Sequence, residues 1–193
     1  NKEIVKYEIK LEEPEDENSL QKQPRFNSFF NIFRRTRSKN FFPNHLLSTL
    51  FTYCQNLVLE AQEDPVKQFI VGRNLVEGIN DFPVNIEIGI KYLEESTSSG
   101  YIEAVIYYCN MLRKGDIIPR DINKAKKFLW KRLNLNDSRV FYLYAKILNK
   151  QNNYTESRKY FEKASKAGNN DAMYEYGKML FIGRGGKKDV KEA

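Results

Sequence analysis

The stretch AMYEYGKMLFIGRGGKKDVKEA, residues 172–193, decides the fold. A small residue, Gly177, is followed three positions on by Leu180 and three further on by Gly183. That spacing stacks side chains along one helix face and then stops the helix. A polar, glycine-rich turn follows, and Asp189 opens the next segment as an N-cap. Moving upstream, the same syntax recurs. Cys109, Leu112 and Gly115 repeat it, as do Gly72, Leu75 and Gly78. Ala145 and Leu148 repeat it with Gln151 in place of the glycine. The small residues are separated by 37, 36 and 32 positions. A period of this length is the mark of stacked repeats, in which each unit buries its apolar face on its neighbour.

Each unit carries a second segment with helix punctuation at both ends. The segments run from Asn85 to Gly100, Asp121 to Asn136, and Asn153 to Gly168. Asp or Asn at the start accepts an unpaired first-turn N–H, and Gly or Asn at the end tolerates the left-handed conformation. Tyr92, Phe128, Tyr160 and Phe161 are expected to fill the space between hairpins. The pattern resembles the Sel-one-like repeat family, a relative of the tetratricopeptide repeat. Unit four follows the first half of that pattern closely. Unit two supplies Asp121, Lys124-Ala125 and Phe128-Leu129; unit three supplies Tyr160-Phe161, Ala164-Ser165, Gly168 and Ala172. Ile88-Gly89 stands where the family places Lys-Ala, and unit three lacks the glycine-rich turn. The resemblance implies an all-α fold, a right-handed helical-hairpin solenoid, with repeats at 67–103, 104–139, 140–171 and a partial unit at 172–193.

The remainder divides into a leading helix and an extension. Residues 45–62 place Leu46, Leu47, Leu50, Phe51, Cys54, Leu57 and Val58 on one helical face, so the solenoid domain is expected over 44–193. The extension, 1–43, opens with a short N-terminal strand at 3–11, where Val5, Tyr7, Ile9 and Leu11 alternate with charged residues. An acidic linker follows at 12–24. Residues 26–42 then interleave phenylalanines with a basic patch of Arg34, Arg35, Arg37 and Lys39. Such a patch suits RNA or another anionic surface, and Thr36 and Ser38 lie in a basic setting for phosphorylation. A solvated linker that docks its phenylalanines is the preferred reading. The absence of an initiator Met and the stop inside a helix pattern suggest a piece of a longer polypeptide.

Composition sets the function classes. The formal charge is +7, which favours acidic partners without naming one. With two cysteines and one histidine, no structural zinc site can be built. His45 and Cys54 lie about 13 Å apart along a helix, too far for a dyad. The glycines at 183–186 follow a helix and lack the GK[ST] ending of a phosphate loop. No carboxylate pair suits acid–base work. No catalytic residues and no cofactors or metal are therefore expected. No apolar run is long enough to cross a membrane. Two distant thiols make a reducing, cytoplasmic setting the expectation, with cytoskeletal association as a candidate.

The stronger functional signal lies on the first helices. Counting from Lys67, Ala104, Val140 and Ala172, the second offset holds Phe69, Ile106, Tyr142 and Tyr174. The sixth holds Arg73, Asn110, Lys146 and Lys178. Positions four apart share a face, and the resemblance implies that this face lines a groove. The competing reading is that the second-offset residues are simply buried between hairpins. The leading expectation is a protein–protein interaction scaffold or adaptor that holds a peptide or helix of acidic character. The alternative is a structural component of a large assembly, such as a cytoskeletal filament, attached through its basic surface. An RNA-binding solenoid ranks below both.

Overall fold

Helix boundaries in this chain are set by single polar residues and by residues in the left-handed region. The computed structural model describes Cys54 and residues 56–58, 60–80 and 82–193. The expected strand, linker and basic-aromatic segment, and most of the leading helix, lie outside the described residues. The helices that follow are α1 (Pro65–Glu77), α2 (Ile86–Ser99), α3 (Ile102–Lys114), α4 (Ile122–Trp130), α5 (Ser138–Lys150), α6 (Tyr154–Lys166) and α7 (Asn170–Ile182). Among the described residues the fold is all-α, a helical-hairpin solenoid.

The expected caps form. Asn85 Oδ1 accepts from the Ile88 N–H at 2.9 Å, Asp121 from Lys124 at 2.8 Å, and Asn153 from Glu156 at 3.5 Å. Each cap contributes about 1 kcal/mol. The second helices are followed by Gly100, Asn136 and Gly168, at φ 93°, 55° and 84°. Unit three shows what happens when the first-helix glycine is missing. Gly115 turns the chain at φ 77°, whereas Gln151 in the equivalent place keeps φ −88°. The left-handed step moves one residue on, to Asn152 at φ 62°, because Asn tolerates that region far better than Gln.

One second helix is shorter than expected. The segment expected to run to Asn136 leaves the α-helix at Trp130 and makes a 3-10 turn over Leu133–Leu135. Arg132 accounts for the break. Its guanidinium donates to the Thr97 and Ser98 carbonyls at 3.5 and 3.1 Å, closing the end of α2. A tertiary contact thus overrides local helix propensity.

Each hairpin closes where two small residues meet. A Cβ on Gly72 would lie 2.9 Å from the Gly89 carbonyl oxygen, and one on Gly89 would lie 2.8 Å from the Gly72 oxygen. In the second hairpin the Cys109 thiol donates to the Ala125 carbonyl, Sγ–O 3.6 Å. In the third, the buried Ser157 hydroxyl donates to the Ala145 carbonyl at 2.9 Å. Around these contacts Leu93, Val105, Tyr108, Leu129, Val140 and Ile147 form a buried core. A second cluster centres on Phe161 and Ala145. Tyr92 and Phe161 are buried, while Phe128 and Tyr160 pack half-buried against the cores. Neighbouring hairpins meet through α2–α3 and α4–α5, and first helix α3 also touches first helix α5.

A polar clip ties α2, α3 and α4 together. The Tyr108 hydroxyl and the Lys124 ammonium both donate to Glu94 Oε1, the latter at 2.6 Å. Burial pushes the Glu94 carboxyl up, but the hydrogen bonds from Lys124 and Tyr108 outweigh it and hold the carboxyl below its usual range. Burial and the Glu94 bond push Tyr108 up to about 12. A carboxyl whose folded value is depressed stabilises the fold above its unfolded value. That contribution is lost as pH falls through the folded value. Glu94→Gln is therefore expected to cost about 1 kcal/mol at pH 7. The two proteins should begin to converge in stability as pH falls below the ordinary glutamate value of about 4.3, and meet only below the lower folded value; urea unfolding across pH checks this.

Candidate functional site

The first-helix face is assembled from pairs within each helix and joined between helices. On α1 the Arg73 guanidinium lies 6.0 Å from the Phe69 ring centre, and its Nε sits 3.4 Å from Glu77 Oε2. Glu77 also accepts from the Tyr107 hydroxyl of α3 at 2.8 Å. Tyr107 meets the Phe69 ring edge-on at 5.9 Å. On α5 the Lys146 ammonium lies 4.9 Å from the Tyr142 ring centre and donates to its hydroxyl at 3.2 Å. Tyr142 leans on Phe161 at 6.0 Å. On α3 Asn110 Oδ1 accepts from Arg113 Nη2 at 3.1 Å.

The second-offset residues thus divide between the two sequence readings. Phe69, Ile106 and Tyr142 are half-buried against the core, while Tyr174 on α7 is 70% exposed. Lys178, one turn beyond it, is also exposed. Arg34, Arg35, Arg37 and Lys39 lie outside the described residues.

A cleft of about 270 Å³ opens on this face between α3, α5 and α7. Lys146 lines it, joined by Arg113, Asn149, Lys150 and Glu175 over a floor that includes Phe161. Sequence reasoning missed Arg113 and Asn149, although both occupy the ninth offset of their units. Offsets two, six and nine follow the 4-then-3 spacing of one helix face, so the signal was present. Arg113 Nε and Asn149 Oδ1 are buried with no hydrogen-bond partner in the protein. An orphaned buried polar atom costs about 1–3 kcal/mol.

A sequence model of the Sel1 repeat matches residues 68–101, 102–129, 140–169 and 170–193. The chain belongs to the Sel1 repeat family. Solved structures agree on the fold. One is a protective antigen of uropathogenic Escherichia coli strains displaying an SLR fold, at 17% identity and TM-score 0.66; the match covers 72% of this chain and 31% of the antigen. The chain therefore spans about a third of that relative's length. Another is a Sel1 repeat protein from Oxalobacter formigenes, at 18% identity and TM-score 0.55, over 63% of this chain and 94% of that one. No curated protein matches the sequence significantly.

Two features of this Sel1 array that could carry chemistry, the glycine-rich turn and Cys109, are tied into structure. The glycine-rich turn after α7 is held by α7 itself and by the preceding helix α6: Arg184 N–H donates to the Met179 carbonyl at 2.9 Å, and Arg158 donates to the Lys187 carbonyl at 2.8 Å. A Cβ on Gly185 would lie 2.3 Å from the Tyr154 oxygen, so the turn packs directly on the start of α6. No cluster of His, Cys, Asp and Glu among the described residues could hold a metal ion. No helix among them is long and apolar enough to cross a membrane. Burial pushes the Cys109 thiol up to about 12, so little thiolate exists at neutral pH. Native protein at pH 8 is expected to leave Cys109 unmodified by iodoacetamide while urea-unfolded protein reacts fully. Peptide mass mapping reads the difference.

Proposed function

We propose that this Sel1 repeat array is a protein-interaction scaffold whose first-helix face holds an extended or helical segment of a partner. Repeats of this family generally act as protein-interaction scaffolds, which supports the broad reading. The finer reading rests on one observation. Aromatic side chains along the face stand beside cations that have no carboxylate within 4.0 Å among the described residues: Lys146 beside Tyr142, and Lys178 one turn from Tyr174. Large amphipathic rings and unpaired cations are what anchor residues at interfaces look like. Arg73, paired to Glu77, is the exception that leaves the positive charge concentrated toward α5 and α7.

The readings as a filament component or an RNA binder rest on net charge and on segment 26–42, which lies outside the described residues. The reducing, cytoplasmic setting remains part of the proposal. It fits a buried, protonated Cys109.

Tyr174→Ala with Lys178→Ala changes only exposed groups, so unfolding free energy should stay within about 0.5 kcal/mol of wild type. Recovery of bound proteins from cell extract, compared by quantitative mass spectrometry, should fall at least five-fold for the partners of this face. A Lys127→Ala control, on the exposed side of α4, should leave recovery unchanged. Equal recovery by wild type and the double variant would contradict the reading.

A further inference from the structure

The cleft between α3, α5 and α7 has a composition that specifies its occupant. At about 270 Å³ it falls just below the roughly 300–1,000 Å³ of sites for drug-sized ligands. It has room for a side chain and its peptide unit. Its rim carries the cations Arg113, Lys146 and Lys150 and a single acid, Glu175. None of these cations has a carboxylate within 4.0 Å among the described residues. Nη2 of Arg113 is already engaged with Asn110, which fixes the guanidinium and leaves Nε buried without an acceptor. Asn149, another lining residue, holds its Oδ1 buried without a donor.

Three cations with no carboxylate partner around one cleft call for an acidic group. One acidic residue within a peptide supplies it. We infer that this cleft is the subsite for a single Asp or Glu of an acidic partner peptide. Its carboxylate accepts from the Arg113 and Lys146 side chains. The Glu175 carboxylate on the rim places a like charge beside the site. It disfavours a polyphosphate, whose charges follow one another closely, over a peptide with spaced acids. The inference rests on the scaffold reading of this face and names the chemistry of its partner.

The probe is an end-blocked decapeptide of alternating Ser and Glu, compared with its Ser–Gln counterpart. Both are titrated into isotope-labelled full chain and followed by two-dimensional NMR. The Glu peptide should bind at least five-fold tighter and should shift the Arg113 Nε–H signal. Arg113→Gln and, separately, Lys146→Gln should remove the preference. A Lys127→Gln, Lys131→Gln double variant, which removes more charge from an exposed surface elsewhere, should keep it. Absence of the preference in wild type, an unmoved Arg113 signal, or equal loss in the double variant would overturn the subsite. Those outcomes leave the Tyr174 and Lys178 recovery test untouched. Failure of that recovery test with the Glu preference intact would instead overturn the wider surface.

Discussion

The contact between two small residues at the centre of each hairpin is the constraint on which the rest depends. Gly72 meets Gly89, Cys109 meets Ala125, and Ala145 meets Ser157. Where these meet, the two helix backbones approach closely enough for a side-chain thiol or hydroxyl to reach the opposite carbonyl. The large residues are thereby displaced above and below the contact. Leu75, Leu93, Leu112, Leu129, Leu148 and Phe161 all lie within 3% of full burial. Fully burying a side chain of this size contributes about 1.5–3 kcal/mol, and the small contact makes that burial geometrically available.

Closure of the hairpins also decides what each first helix presents. With the small residues and their leucines committed to packing, offsets two, six and nine carry the aromatic and polar chemistry of this face. Along this face the local charge balance changes. Near α1, Arg73 is answered by Glu77 and Tyr107 is hydrogen-bonded to the same acid. Between α3, α5 and α7, Arg113, Lys146 and Lys150 share a cleft with Glu175 alone. An acidic segment would find its complement in the later repeats rather than in the first.

The sequence made the hairpins legible because small, large and left-handed positions recur at fixed offsets. Its misreadings have physical causes. Gly89 looked like a departure from the Lys-Ala pattern, yet it is the structural equal of Ala125, since the contact asks only for a small residue. The early end of α4 was not legible because it depends on Arg132 reaching back to α2, a contact 34 residues away in sequence. The aromatic and basic ladder was legible as a face. Which of its rings is exposed was not, because that depends on neighbouring helices: α5 is covered by α3, α4 and α6, whereas α7 packs chiefly on α6. The orphaned atoms of Arg113 and Asn149 are a property of three-dimensional packing alone.

The small-residue contact is tested most directly by Gly89→Ala and urea unfolding. In an unobstructed helix interior, Gly→Ala stabilises by about 1 kcal/mol. Here the added methyl would lie 2.7 Å from Val76 Cγ2 and 2.8 Å from the Gly72 carbonyl oxygen. Overpacking of this kind costs about 1–3 kcal/mol. Tight closure at Gly89 predicts a variant less stable than wild type, with the ordinary sign reversed. A variant as stable as wild type, or more so, would contradict it.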